Sequence, residues 1–198
     1  MIRILAIGDS YTAGEALPPD QSWPRQLEHS GTLGGAHEFT VVARTGWTAR
    51  EALDAVLEAN PAAPFDVVTV QVGVNDQYRG GTPESFGRDL EALLGEAVRR
   101  AAGGDPERVV FVSIPDWSVT PHAAGRDRAR IAAEVDAHNR AARAVASALG
   151  SRYVDVTTAS REAGPDLIAG DGLHPSEAMY RRWLAPIGAA IEEIAGLH

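Results

Sequence analysis

The chain has 198 residues with 27 acidic and 18 basic side chains, which gives a formal net charge of −9 at neutral pH. This length fits a single domain, predicted over residues 1–198, and the scattered basic residues in an acidic chain argue against nucleic-acid binding. Cysteine is absent, which excludes disulfide bonds, thiolate metal sites and a cysteine nucleophile.

The chain begins Met1-Ile2-Arg3 and enters an apolar segment at once. This start lacks the charged region, the long apolar stretch and the cleavage site of a secretory signal peptide. The sequence also lacks a run of the roughly 18 apolar residues that a membrane-spanning helix requires. We therefore expect a cytoplasmic protein that does not associate with membranes.

The first apolar segment leads into a serine. Residues 2–7 are apolar except for Arg3, which is the pattern of a strand buried on both faces of a parallel sheet. Gly8 and Asp9 end this strand and place Ser10 at its carboxyl end, the edge of an α/β sheet where ligands bind. Ser10 is therefore a candidate nucleophile, although a serine at a strand end is also a common turn or helix-capping residue.

Strand and helix patterns alternate along the rest of the chain. Four more apolar runs predict strands at residues 38–43, 66–72, 108–113 and 153–156. Apolar residues at helical spacing predict helices over residues 22–29, 48–60, 82–103, 131–149 and a final segment that contains residues 179–194. Five strands alternating with five helices predict an α/β fold, a three-layer α/β/α sandwich around a five-stranded parallel sheet.

An aspartate and a histidine lie three residues apart before the last predicted helix. In Asp171-Gly-Leu-His174-Pro175, the spacing lets the carboxylate reach Nδ1 of the imidazole and leave Nε2 free to accept a proton from a hydroxyl group. The glycine permits a tight bend, and the proline fits the start of a helix. The alternative interpretation is a helix-capping aspartate beside a surface histidine.

Two further loops could supply hydrogen-bond donors to the same edge of the sheet. Asn75 follows the third predicted strand and a glycine, and its side-chain amide can donate to an oxyanion. Gly46 follows the second strand and can present an unobstructed backbone N–H. Each of these residues also fits an ordinary turn.

Four short motifs occur in an order typical of one enzyme family: Gly8-Asp9-Ser10, Gly46, Gly73-x-Asn75-Asp76 and Asp171-x-x-His174. In this order and spacing, nearly the whole chain resembles the SGNH or GDSL hydrolase family. The resemblance implies a flavodoxin-like α/β sandwich without the Gly-x-Ser-x-Gly elbow of other lipases, and no such elbow occurs here. The family more often has leucine where Tyr11 stands, a difference that affects the shape of the pocket rather than the chemistry.

The resemblance also implies roles for individual residues. Ser10 would be the nucleophile, His174 the base and Asp171 the residue that orients the base. The oxyanion hole would consist of the Ser10 N–H, the Gly46 N–H and the Asn75 side chain. We interpret Asp9 and Asp76 as structural residues that hold their loops through backbone amides.

Aromatic residues near these loops are candidates for the wall of a substrate pocket. They are Tyr11, Trp47 and Trp117, although packing in the core is an alternative role for both tryptophans. We expect no metal, since the other histidines lack ligand spacing: His29, His37, His122, His138 and His198. We also expect no cofactor, because the sequence contains neither a phosphate-binding loop nor a dinucleotide-binding glycine motif.

The sequence therefore predicts a serine hydrolase that cleaves small carboxylic esters through an acyl-enzyme intermediate. The expected partner is a small-molecule ester. One alternative is an acyltransferase or a carbohydrate O-deacetylase that uses the same residues. An alternative of another class is a flavodoxin-like binding module without catalytic activity.

Overall fold

A single parallel sheet is at the centre of the fold. The computed structural model describes residues 1–162 and 164–196. Its strands are β1 (Ile2–Gly8), β2 (His37–Ala43), β3 (Val67–Gln71), β4 (Val109–Val112) and β5 (Arg152–Val154). Their spatial order is β2-β1-β3-β4-β5, and every neighbouring pair is parallel. This is the strand order of flavodoxin-like folds.

Helices cover both faces of the sheet. In the described residues they are α1 (Ser10–Ala13), α2 (Trp23–His29), α3 (Ala49–Ala59), α4 (Val74–Tyr78), α5 (Pro83–Arg100), α6 (Arg128–Leu149), α7 (Thr157–Arg161) and α8 (Glu177–Ala195). Short 3₁₀ turns occupy parts of the connections, among them Trp117–Val119 and Pro121–Ala123. None of these helices is long and apolar enough to cross a membrane.

Each face of the sheet has its own apolar layer. On one face, Ile4 of β1 belongs to a cluster that includes Trp23 of α2 and Trp183 of α8. On the other face, Leu5 belongs to a cluster with residues of α3, α5 and α6, such as Leu90. Because successive side chains of a strand point to opposite faces, both neighbours in β1 are buried. The predicted three-layer sandwich is confirmed.

The strand order places two loops side by side at the carboxyl edge. From β1 the chain crosses to β2 on one side, and it returns to β3 on the other side of β1. The chain therefore leaves the neighbouring strands β1 and β3 in opposite directions. Such a point is the topological switch point of the sheet, where α/β folds form their crevice. Ser10 follows β1 and Asn75 follows β3.

The structure has more helices than the sequence pattern predicts. Five predicted helices correspond to α2, α3, α5, α6 and α8, and the capping box of Thr48 and Glu51 forms at the start of α3. The additional helices α1, α4 and α7 have four or five residues each. Ser22 occupies the N-cap position of α2, but its side chain makes no capping hydrogen bond. A single domain over residues 1–198 stays a prediction.

Candidate active site

Ser10 is the first residue of α1, immediately beyond β1. Its side chain is in a buried position, and the residue is 4% exposed. Asp9 caps the helix, because its Oδ1 accepts a hydrogen bond from the Tyr11 N–H at 3.0 Å. A Cβ at position 8 would lie 2.1 Å from Oγ1 of Thr12, so glycine is required for this close approach of the strand end to the helix.

A hydrogen bond joins the Asp171 carboxylate to the His174 imidazole in the loop before α8. Oδ2 of Asp171 lies 2.5 Å from Nδ1 of His174, while Oδ1 accepts the backbone N–H groups of Leu173 and His174 at 2.9 and 3.0 Å. Burial raises the pKa of Asp171, but these hydrogen bonds outweigh it, and the pKa lies below the ordinary value. The carboxylate is therefore charged at neutral pH and holds the imidazole with Nδ1 toward it.

Backbone hydrogen bonds hold this loop in place. The His122 N–H donates to the carbonyl oxygen of Gly172 at 2.9 Å, and the Ala169 N–H donates to that of His174 at 2.8 Å. Ser176 then caps α8 by accepting the Met179 N–H. His174 is consequently fixed from both sides and is 9% exposed.

Three hydrogen-bond donors are available around Ser10. The Ser10 N–H opens α1 and therefore has no acceptor within the helix. The Gly46 N–H has no hydrogen-bond partner among the described residues. The Asn75 amide uses one N–H on the carbonyl oxygen of Trp47 at 3.0 Å, which leaves the other N–H free to donate. Ser10, Gly46 and Asn75 line the same cleft.

The two remaining aspartates of the motifs have structural contacts. Asp76 accepts the Ala49 N–H at 3.0 Å and so connects α4 to α3, whereas Asp9 connects to Tyr11. Burial raises the pKa of both carboxyl groups, and that of Asp9 rises to about 8 with a further contribution from the charge of Asp76. These contacts agree with the interpretation of Asp9 and Asp76 as loop-holding residues.

The aromatic pocket candidates have different positions. Tyr11 and Trp117 line the cleft with Ser10 and His174. Tyr11 meets His174 edge to face, with ring centroids 5.9 Å apart. Trp47 is elsewhere: it does not line this cleft, and its ring packs against the apolar cluster under α3. The assignment of Trp47 to the pocket wall is thus not supported, because its backbone carbonyl rather than its ring faces Asn75.

The fold also brings residues to the cleft that the sequence analysis did not select. They are Thr45, Val74, Tyr78, His122 and Leu173. Thr45 precedes Gly46, while Val74 and Leu173 lie inside the Gly73-x-Asn75 and Asp171-x-x-His174 motifs, so the positions of these three could have been inferred from the motifs. Tyr78 and His122 carry no such signal, since one lies at the end of α4 and the other in a 3₁₀ turn.

The Ser10 hydroxyl and the His174 imidazole line one cleft without a direct hydrogen bond between them. Among residues 1–162 and 164–196, no three His, Asp or Glu side chains are grouped as metal ligands would be. His198 lies outside the described residues.

The sequence profile of the GDSL-like lipase/acylhydrolase family matches residues 6–182. The chain belongs to this family. Membership confirms the predicted resemblance and the prediction of an enzyme of the esterase and lipase class. It therefore argues against a non-catalytic binding module. The match contains all four motifs from which the resemblance was predicted.

One relative of this GDSL-like hydrolase is similar in sequence, and two solved structures share its fold. An arylesterase of Vibrio mimicus is 28% identical over 94 residues, which are 46% of this chain and 46% of that protein, so the chain spans about half the length of this curated relative. The structure of a G-D-S-L family lipolytic protein from Veillonella parvula has a TM-score of 0.75, 21% identity and 96% coverage of both chains. A carbohydrate acetylesterase family member from Sinorhizobium meliloti has a TM-score of 0.75, 20% identity and full coverage of both.

Proposed function

We propose that this enzyme is a serine esterase that cleaves small carboxylic esters through a Ser10–His174–Asp171 triad. The observation that carries the proposal is the Asp171–His174 contact at 2.5 Å beside the cleft that Ser10 lines. A carboxylate on Nδ1 leaves Nε2 to act as a base, and a serine hydroxyl needs such a base to attack a carbonyl carbon.

The reaction has two stages, acylation of Ser10 and hydrolysis of the acyl-enzyme. His174 accepts the Ser10 proton as Oγ bonds to the carbonyl carbon, and the alcohol leaves with that proton as the tetrahedral intermediate collapses. Water then attacks the acyl-enzyme carbonyl carbon while His174 accepts a proton from it, and His174 returns this proton to Ser10 Oγ as the C–O bond breaks and the carboxylic acid leaves. Asp171 remains ionised throughout, because its hydrogen bonds hold its pKa low, and stabilises the imidazolium in each stage.

The charge that develops on the carbonyl oxygen needs donors already in position. The Ser10 N–H, the Gly46 N–H and the free N–H of Asn75 surround the cleft and would supply them. Donors that are held before the reaction do not need to reorganise as the charge forms. The Asn75 amide is oriented by Trp47, and Arg79 donates to the Gly46 carbonyl oxygen at 2.6 Å.

The names of the relatives bear on the substrate. The name arylesterase refers to esters of aryl alcohols, whereas the name carbohydrate acetylesterase refers to a small acyl group, acetyl. We infer a preference for small acyl groups for this chain. Transfer of the acyl group to another alcohol, rather than to water, uses the same residues, and product analysis with competing alcohols distinguishes the two reactions.

A fluorophosphonate probe tests the nucleophile. We expect one adduct by intact-protein mass, which peptide mapping assigns to Ser10, and loss of both adduct and ester hydrolysis in Ser10→Ala. Ser22→Ala is the matched control, because Ser22 is also buried at the start of a helix, and it should behave as the wild type. An adduct on another serine, or full hydrolysis by Ser10→Ala, would contradict the proposal.

A further inference from the structure

A second groove adjoins the cleft that contains Ser10. Tyr78 and Trp117 line both, so their rings form the wall between them. The rings contact each other edge to face with centroids 5.6 Å apart, and the indole N–H of Trp117 donates to Oε1 of Gln77 at 2.9 Å. Tyr78 is half-exposed, at 51%. The two rings thus form an aromatic wall beside the cleft, and Tyr78 is the part of it that is exposed to solvent.

One arginine lies over this wall. The guanidinium carbon of Arg126 lies 5.4 Å from the Tyr78 ring centroid and 5.5 Å from that of Trp117. Its Nη2 donates to the Tyr78 hydroxyl at 3.3 Å. The two ring contacts and the hydrogen bond hold the guanidinium beside the wall, and the one hydrogen bond leaves most of its five N–H donors free.

Arg126 has no ion-pair partner among the described residues. In the described part of the chain, no carboxylate pairs with Arg126, whereas Arg130 in the same groove is 2.7 Å from Glu134. Glu134 also accepts from Gln77 at 2.8 Å. Asp127 is the other carboxylate of the groove. Its Oδ1 accepts the Arg130 N–H and so caps α6. Of the two arginines that line the groove, Arg130 thus has a carboxylate partner and Arg126 has none among the described residues.

An unpaired guanidinium is a receptor for anionic oxygen groups. Its fork of N–H donors matches a carboxylate or a phosphate. The net charge of −9 repels anions at long range. An anionic substrate would therefore need a local cation beside the cleft to hold it. Charged and polar side chains line the groove together with apolar ones such as Ile131 and Ala137, so it offers both polar and apolar contacts to the alcohol half of an ester.

We infer that Arg126 binds an anionic oxygen group on the alcohol half of the substrate, while the ring of Tyr78 supports the part that connects this group to the ester. The inference rests on the proposed esterase function and specifies its substrate class. The alcohol half extends from the cleft across the Tyr78–Trp117 wall, and its carboxylate or phosphate meets the guanidinium. Arg126 is thereby a specificity-determining residue.

Three aryl acetates that differ at the para position test the inference. They are 4-acetoxybenzoate and 4-acetoxyphenyl phosphate, which are anionic, and 4-acetoxybenzamide, which is neutral. For each enzyme variant, kcat/KM for an anionic ester is divided by kcat/KM for the neutral ester, 4-acetoxybenzamide. The ratios are then compared between variants. Because the leaving groups are the same for every variant, their intrinsic differences in reactivity cancel. In Arg126→Gln, we expect the ratio for at least one anion to fall roughly three- to tenfold, and which anion responds identifies the group.

Arg140→Gln is the matched control. It removes the same charge from an exposed position on α6 that lines a different groove, and its ratios should equal those of the wild type. Arg126→Lys keeps the charge without the fork and should give intermediate ratios. Unchanged ratios in Arg126→Gln, or an equal fall in both Gln variants, would overturn the inference. Ser10→Ala separates the two proposals: if it still hydrolyses all three esters, the triad is wrong, whatever the Arg126 result.

Discussion

The side-chain amide of Asn75 donates to the carbonyl oxygen of Trp47 at 3.0 Å. This contact joins the loops after β2 and β3 and fixes the rotation of the amide. The second N–H of Asn75 is left for the cleft that Ser10 lines. Asn75 thus has a structural hydrogen bond and a proposed catalytic one, and a substitution removes both.

We expect Asn75→Ala to lower kcat by on the order of 10²–10³, the usual effect of one oxyanion donor. KM should change little, because the oxyanion contact strengthens mainly in the transition state. Steady-state kinetics with a short-chain p-nitrophenyl ester and a thermal melt separate the two roles. A lower melting temperature with unchanged kcat would show that Asn75 serves the loop alone.

Asp171→Asn should impair catalysis far more than folding. The substituted side chain still presents an oxygen to the N–H groups of Leu173 and His174, but it can favour the wrong imidazole tautomer and carries no charge. We expect kcat to fall by on the order of 10³–10⁴ with a near-native melting temperature. Asp166→Asn, at an exposed position in the same loop, is the control and should retain activity.

Asp9 should make the protein less stable as the pH rises. Burial raises its pKa from 3.8 to about 8 in the folded state, so between these values the folded state binds a proton that the unfolded state releases. Its contribution to the free energy of unfolding is complete below about pH 4 and is lost as the pH rises through about 8.

Asp9→Asn removes this titration. We expect its melting temperature, relative to the wild type, to increase between pH 5 and pH 9, as measured by circular dichroism at constant ionic strength. Asp20→Asn, at an exposed position, should show a constant difference across the same range. If the difference for Asp9→Asn is also constant, Asp9 titrates outside this window.

The sheet and the place of the family motifs at its carboxyl edge could be predicted because their signals are local. An apolar run such as residues 66–72 indicates a buried strand without knowledge of its neighbours, and parallel strands bring their carboxyl ends to one edge. The approximate positions of Ser10, Asn75 and His174 follow from that rule. The predicted triad itself stays a prediction.

The short helices and the cleft wall could not be predicted in the same way. Helices of four or five residues, such as α4, are too short to show apolar periodicity and depend on tertiary contacts. Tyr78 ends α4 and reaches the cleft only because that helix forms. Trp47 is next to Gly46 in the sequence, but its ring packs against the apolar cluster that includes residues of α3, so its position does not support a role in the pocket wall.

Tyr11 separates the cleft from an apolar cavity behind it. Tyr11, Trp117, Leu173 and His174 line both spaces. The far side of the cavity is formed by apolar residues that include Leu167, Met179 and Trp183. Tyr11 is nearly fully buried and contacts His174 and Trp183 with ring centroids 5.9 and 6.4 Å away, so we expect its ring to stand between a long acyl chain and this space.

The wild-type enzyme should therefore prefer p-nitrophenyl acetate or butyrate, and kcat/KM should fall steeply by octanoate. A longer chain gains about 0.8 kcal/mol for each CH₂ only where an apolar surface buries it, and Tyr11 denies it that surface. Tyr11→Leu, with the residue more common at this position in the family, shortens the barrier and should move the optimum toward hexanoate or octanoate. Tyr11→Phe keeps the ring and should retain the wild-type profile, which separates the barrier from any effect of the lost hydroxyl. A wild-type optimum at decanoate, or the same profile in Tyr11→Leu, would show that the acyl chain takes another path.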